Sequence, residues 1–178
     1  MPFLHTLIDD NRGLLNQACT LIDSIPPPVY AEALPDLGLA SFGSHLRHIL
    51  DFYCQLLTGI CGNGSVNYDQ RERRLEIEED PAAGRARLEE ILGELDRLRT
   101  SQTQDLRVRC DALPIHPDQD PFTASSLERE LQSTLSHTIH HFALMRVGLR
   151  ARGIFPMEDF GVAPSTLRHW AEVGACAP

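Results

Sequence analysis

The chain has 178 residues, of which 42% are hydrophobic and 23% are charged, and its formal net charge is −9. This length and composition are typical of one globular domain, so we expect a single domain over residues 1–178. The acidic balance argues against nucleic acid as a partner, because neutralising phosphates needs a basic surface. All 16 basic residues are arginine, which excludes lysine as a Schiff-base or general-base residue.

The cysteines predict neither a disulfide framework nor a thiolate zinc site, because they are odd in number, widely spread and without a Cys-x-x-Cys pair. They are Cys19, Cys54, Cys61, Cys110 and Cys176. The sequence has no apolar run of about 18 residues, so we expect no membrane span. The N-terminal residues lack the basic and apolar regions of a secretory signal, which predicts a cytoplasmic protein.

Apolar residues at helical spacing predict four long helices. The first spans residues 2–25 and ends at Pro26-Pro27-Pro28, because proline cannot continue a helix. The second runs from about Ser41, a typical N-cap residue, to Cys61, and Gly62 ends it.

The third and fourth predicted helices also carry end signals. The third spans about residues 80–99 and begins with Asp80-Pro81, an N-cap followed by proline at the first helical position. The fourth begins at Ser125 or Ser126, where Ser125-x-x-Glu128 fits a capping box, and ends near Arg152.

The segments between these helices are predicted to be mostly irregular. Residues 29–40 form a loop, and residues 62–79 form a polar connection with a dense run of charges. The arginines of that run are interpreted either as a solvated surface or as an anion-binding patch, and they are Arg71, Arg73 and Arg74. Alternating residues at Leu106, Val108 and Cys110 predict a short strand, as in a small hairpin.

These elements together predict an all-α fold, a four-helix bundle with a core over about residues 2–153. The tail, residues 154–178, is expected to be irregular, apart from one short helix that can start at Pro164. Its segment Phe160–Trp170 is expected to pack across the bundle or against a partner chain. His116 is interpreted as a surface residue of a proline-rich loop.

Three of the eight histidines fall within five residues of the fourth predicted helix. His137 and His141 are one turn apart at the border of the apolar face, and this spacing lets two imidazoles bind one metal ion. His140 points roughly to the opposite side and is predicted to face solvent. His45 and His48 lie on one flank of the second predicted helix. The alternative for each is a hydrogen-bonded structural histidine.

Other site classes are disfavoured by the residues around these histidines. A zincin protease needs Glu directly after the first His of its motif, and here Thr138 follows His137. A di-iron carboxylate bundle needs two Glu-x-x-His motifs, and the chain has none around these histidines. Glu130, two turns before His137, is a candidate fourth ligand or an acceptor that orients an imidazole.

The stretch Gly43-Ser44-His45-Leu46-Arg47-His48-Ile49-Leu50-Asp51-Phe52, paired with His137-Thr138-Ile139-His140-His141, resembles the DinB-like superfamily. Members of that family are bacterial four-helix bundles with a three-histidine metal site. The resemblance implies His48, His137 and His141 as ligands, whereas helical phase places His45 nearer the core and keeps it as an alternative. Many relatives follow the last His with Arg-Gly-Gln, and here Phe142-Ala143-Leu144 follows, so their substrate chemistry does not carry over.

The resemblance implies a divalent metal ion, zinc or nickel first and iron next, because imidazole accepts all three. Family members with known activity are metal-dependent transferases and isomerases that use low-molecular-weight thiols such as mycothiol or bacillithiol. Metal-dependent hydrolysis, assisted by Glu130 or Asp51, is the first alternative. A non-catalytic, stress-related bundle with a structural metal or none is the second. A small-molecule substrate and a homodimer are the partners expected, and no catalytic residue is assigned.

Overall fold

The computed structural model describes residues 2–101, 104–110 and 120–174. Within these ranges the fold is mainly α, with seven helices and one three-stranded sheet. The helices are α1 (Pro2–Ile22), α2 (Pro27–Ala31), α3 (Phe42–Cys61), α4 (Leu75–Glu79), α5 (Pro81–Arg97), α6 (Leu127–Ala151) and α7 (Pro164–Val173). The strands are β1 (Ser65–Asn67), β2 (Asp105–Arg109) and β3 (Thr123–Ser126). His116 and Cys176 lie outside the described residues.

The four long helices α1, α3, α5 and α6 correspond to the four predicted helices. Helices α1 and α3 each pack against both α5 and α6, so the four enclose one core. The predicted N-caps of two helices are confirmed: Ser41 accepts a hydrogen bond from the Ser44 amide at 3.0 Å, and Asp80 accepts one from Ala82 at 2.9 Å. None of the helices in the described part of the chain is long and apolar enough to cross a membrane.

The predicted strand and hairpin are confirmed, but the sheet contains one more strand than expected. Strand β2 pairs antiparallel with β3, placing Leu106 opposite Ser125. Strand β1 pairs in parallel with β2 and lies in the connection predicted to be irregular, so the predicted hairpin is extended to a three-stranded sheet in a mainly α fold. Three residues are too few to show the alternation that reveals a strand, although Val66 is fully buried.

Three short helices change the predicted description of the connections. Helix α1 ends at Ile22 rather than near residue 25, and α2 and a 3₁₀ turn (Pro35–Leu37) occupy much of the predicted loop 29–40. Helix α4 occupies the end of the polar connection, whereas α7 is the short helix predicted to start at Pro164. Five residues are less than two helical turns, so α2 and α4 cannot display a periodic apolar stripe. Burial of Tyr30 and Ile77 in the core stabilises them instead.

The start of α6 also differs from the predicted capping box. Ser126 is the N-cap and accepts a hydrogen bond from the Arg129 amide at 3.3 Å. The Ser125 hydroxyl donates to the Glu130 carboxylate at 2.5 Å instead. Since Ser125 belongs to β3, its side chain is directed by the sheet and not by the first turn of the helix.

A buried polar network joins α1, α3 and α6 inside the core. The Tyr53 hydroxyl donates to Asn11 Oδ1 at 2.6 Å, and Asn11 Nδ2 donates to the carbonyls of Leu7 and Leu131 at 2.8 and 3.1 Å. Thr138 donates to the Thr134 carbonyl at 2.7 Å, and its hydroxyl lies 3.3 Å from that of Tyr53. Because buried polar groups need partners, this network sets the rotation of α6 against α1 and α3.

The segment before α7 packs against α6 of the same chain. Phe160 is fully buried and stacks on Phe142, with ring centroids 4.4 Å apart and planes inclined by 12°. Gly161 has φ +72°, and its amide donates to Gln17 Oε1 at 3.3 Å. Arg168 of α7 pairs with Asp10 of α1 at 3.1 Å. The tail was expected to pack either across the bundle or against a partner chain, and these contacts show that it packs across the helices of its own chain.

Candidate metal centre

Three histidines from α3 and α6 meet at one place. His48, His137 and His141 each offer one ring nitrogen, and these atoms all lie within 4.8 Å of one another. The Nε2 atoms of His137 and His141 are 2.9 Å apart, as expected for neighbours on one helix face. The His48 ring lies 4.9 Å from that of His137 and 4.8 Å from that of His141, between centroids. The structure thus brings together the three residues implied by the resemblance.

This donor set fits a divalent metal ion. Zinc binds imidazole nitrogen at about 2.0–2.1 Å in tetrahedral sites, which places two such nitrogens about 3.3 Å apart. The nitrogens of His137 and His141 are 2.9 Å apart, and all three ligand nitrogens lie within 4.8 Å of one another. Small rotations of the side chains would therefore suffice to surround an ion. Within the described chain no carboxylate or thiolate belongs to this group, so the three ligands are neutral. Three protein ligands are typical of a catalytic zinc site, in which the fourth coordination position is open to water or substrate.

Burial keeps these imidazoles in the form that binds metal. It lowers the pKa of His48 and of His137 to about 4, and neighbouring positive charge, including that of Arg71, acts in the same direction. Burial, followed by the other histidines, lowers the pKa of His141 to about 3. All three are therefore neutral near pH 7, with a lone pair available for coordination.

His45 lies on the far side of His141 and outside the group of three. Its Nδ1 is 3.0 Å from His141 Nδ1, while His141 Nε2 faces His137. A hydrogen bond to the non-coordinating nitrogen of a ligand fixes its tautomer and the direction of its lone pair. His45 Nε2 is buried without a partner among the described residues. Helical phase placed His45 nearer the core than His48, whereas the group of three contains His48 and leaves His45 beside it.

Two stacked aromatic rings border the cluster, and no pattern along the chain predicts their contact. The Phe52 ring lies 4.1 Å from that of His137 and stacks on Tyr68, with centroids 4.9 Å apart. The guanidinium of Arg71 also lies over the Phe52 ring, with its Cζ 5.0 Å from the ring centroid. Phe52 is on α3, but Tyr68 and Arg71 follow β1, so only the pairing of β1 with β2 brings these side chains together.

The predicted arginine patch divides into residues with different surroundings. Arg74 forms an exposed ion pair with Glu72 at 2.6 Å, and Arg73 is exposed with φ +51°. Arg71 is half-buried beside the histidines, and its Nε is buried without a partner in the described structure. Of the three arginines, Arg71 is therefore the one placed at the candidate centre.

The two acidic residues considered from the sequence have other partners. Glu130 is buried, and its carboxylate accepts hydrogen bonds from Tyr68 at 2.8 Å and Ser125 at 2.5 Å. Asp51 pairs with Arg47 at 2.9 Å, and burial raises its pKa while that hydrogen bond lowers it. Glu130 therefore reaches the centre only through Tyr68 and Phe52.

His140 is exposed, as predicted.

Comparison with known proteins identifies no family for this chain. No family model matches it, and no solved structure matches it significantly. Over 107 residues the chain is 33% identical to FK506-binding protein 5 of Rhizopus delemar. That segment covers 58% of this chain and 27% of the relative, so the likeness concerns a minor part of that protein.

Proposed function

We propose that this chain is a DinB-like four-helix-bundle protein that binds one divalent metal ion through His48, His137 and His141. We propose further that it is a metal-dependent transferase or isomerase that acts with a low-molecular-weight thiol. The observation that supports both proposals is the meeting of three neutral imidazoles from α3 and α6. The pairwise packing of α1, α3, α5 and α6 is in keeping with such a bundle.

The neutrality of the ligand set favours an anionic donor such as a thiolate. A divalent ion held by three imidazoles supplies an open position and lowers the pKa of a thiol or water that binds there. His45 orients His141, and Phe52 with Tyr68 shields one side of the cluster from water. Among the described residues no carboxylate belongs to the ligand group, so the ligands themselves do not offset the charge of the ion.

Hydrolysis is less well supported by the same surroundings. It needs a carboxylate free to take a proton from water beside the ion. Asp51 is held by Arg47, and Glu130 by Tyr68 and Ser125. Neither acidic residue considered for this role is therefore free to act as the general base.

The metal site is tested by metal analysis of protein purified without an affinity tag. We expect about one zinc, nickel or iron ion per chain, and none in the His137→Ala/His141→Ala double variant. His140→Ala is the matched control, because His140 is an exposed neighbour on the same helix. Circular dichroism checks that each variant is folded. Wild-type protein that carries no stoichiometric metal and binds none on titration overturns the proposal.

The thiol function is tested by thermal unfolding of metal-loaded protein with mycothiol, bacillithiol and glutathione. A ligand that binds the native state raises the melting temperature, and the rise grows with ligand concentration. We expect a rise with at least one thiol, which is lost with its S-methyl analogue and in the His137→Ala/His141→Ala variant. If no thiol raises the melting temperature of the metal-loaded wild type, the thiol assignment is wrong, although the metal site stands.

A further inference from the structure

We propose that Arg71, stacked on Phe52, binds the carboxylate of a small-molecule substrate whose other end reaches the three-histidine cluster. The inference rests on the proposed function and deepens it by naming a charged group of the substrate. It separates Arg71 from Arg73 and Arg74, which the sequence presents as one patch.

The position of Arg71 is set by one aromatic ring that also contacts the ligands. Its Cζ lies 5.0 Å from the Phe52 centroid, and the same ring lies 4.1 Å from His137 and 5.1 Å from His48. These contacts place the guanidinium carbon no more than about 9 Å from the His137 ring centroid. An acidic group on Arg71 therefore leaves the other end of the same molecule within reach of the metal.

Arg71 and Arg146 both have a buried Nε without a partner and no ion pair within the part of the chain that the structure describes, and of the two Arg71 is the one that lies on the Phe52 ring. Nearby guanidinium groups are paired: Arg47 with Asp51 and Glu78 at 2.9 and 2.5 Å, and Arg109 with Asp69 at 2.9 Å. Arg71 is half-buried like Arg47, yet its Nε lies buried without an acceptor. Since a charge partly withdrawn from water normally has a partner, the N–H donors of this guanidinium are suited to an external anion.

Stacking prepares the guanidinium for a planar anion. The ring holds one face of the group, so the N–H donors at its edge keep a defined direction. A carboxylate matches such a fork with two parallel hydrogen bonds. A simple cation–π contact explains the stacking, but it leaves the buried Nε without an acceptor.

The surrounding charges favour a monoanion over a phosphate dianion. Asp51 is near enough for its pKa to respond to Arg71 and Glu72, so two carboxylates lie in the same neighbourhood. Arg47 is already committed to Asp51 and Glu78 and offers no second cation. A dianion would meet twice the repulsion from these carboxylates with one guanidinium to hold it.

The test uses cobalt(II)-loaded protein and two thiols that differ in one group, 3-mercaptopropionate and 2-mercaptoethanol. Each is titrated while the cobalt absorption spectrum is recorded, which reports binding at the metal and gives a Kd. We expect 3-mercaptopropionate to bind at least about tenfold more tightly to the wild type, as one charge-assisted bidentate contact provides. Arg71→Gln reduces this ratio to about one, and the matched control Arg73→Gln retains it.

The outcomes distinguish this inference from the proposed function. If cobalt does not bind the wild type, the metal centre is wrong and the inference falls with it. If cobalt and both thiols bind, but with equal affinity or with a ratio unchanged in Arg71→Gln, the inference alone is overturned. Equal affinity of the wild type for the two thiols overturns the inference even if Arg71→Gln fails to fold. Inorganic phosphate that competes with 3-mercaptopropionate better than acetate does would overturn the choice of a carboxylate.

Discussion

The Nδ1 atoms of His45 and His141 lie 3.0 Å apart, so a histidine outside the candidate ligand set supports one inside it. Removing such a support typically costs 10–100-fold in metal affinity, because the ligand loses its fixed orientation. We expect His45→Ala to bind about one ion per chain with an affinity lowered by about that factor. Competition with a chromogenic chelator measures the change.

The control for this prediction is His140→Ala, which removes an imidazole that contacts the His141 ring and lies, like His45, outside the candidate ligand set. Because His140 is exposed, its removal should leave the metal affinity within about twofold of the wild type. Equal affinity in His45→Ala and the wild type would show that His45 does not orient His141. Complete loss of metal would instead make His45 a ligand.

Glu130 is predicted to be a structural residue. Its carboxylate accepts hydrogen bonds from Tyr68 and Ser125, and it lies outside the group of potential ligands. Glu130→Gln should lower the free energy of unfolding by about 1–3 kcal/mol, because an amide cannot replace both acceptors. The same variant should still carry one metal ion per chain. Loss of the ion from a variant shown to be folded would return Glu130 to the ligand set.

The hydroxyl of Tyr53 is predicted to contribute to stability without affecting the metal. Tyr53→Phe removes the donor to Asn11 Oδ1 and leaves a buried acceptor with weaker partners. We expect a loss of about 1–3 kcal/mol in urea unfolding of the metal-free protein. Thr20→Ala, which removes an exposed hydroxyl on α1, should change stability by less than about 0.5 kcal/mol. Similar effects of the two substitutions would mean that the network does not stabilise the core.

Gly161 and Gly153 form a matched pair for measuring how tightly the tail is attached. Both have positive φ, +72° and +73°, so alanine is strained at either position. A Cβ at Gly161 would also lie 2.9 Å from Phe142 Cβ, whereas nothing lies within 4 Å of one at Gly153. Gly161→Ala should therefore lower the free energy of unfolding by about 1 kcal/mol more than Gly153→Ala. Equal losses in urea unfolding would show that the tail shifts to accommodate a methyl group.

The features predicted correctly from the sequence are those whose signal is local. Long amphipathic helices, their N-caps at Ser41 and Asp80 and the strand at Leu106 and Val108 all follow from spacing along the chain. The short helices α2 and α4 and the strand β1 gave no such signal, because packing at Tyr30, Ile77 and Val66 stabilises them.

Within the site, the limit of prediction lies at contacts between elements. The His137 and His141 spacing is a property of one helix and was readable from the sequence. The assignment of His45 and His48 depends on how α3 meets α6, and it came from a resemblance rather than from helical phase. Arg71 reaches Phe52 only because β1 joins the sheet, a parallel pairing with a residue 42 positions away. No local sequence pattern predicts such a contact.

The buried network beneath α6 has a consequence for how the centre can change. Thr134 and Thr138 of α6 contact Asn11 of α1 at 3.4 Å and Tyr53 of α3 at 3.3 Å, and these contacts favour one rotation of α6 about its axis. The direction of the ligand positions therefore does not depend on an ion being present or on which side chains occupy them. Exchange of one histidine for cysteine or aspartate would alter the preferred ion while the scaffold stayed in place. We therefore expect substitutions at the candidate ligands to change which ion binds without a matching change in the free energy of unfolding of the metal-free protein.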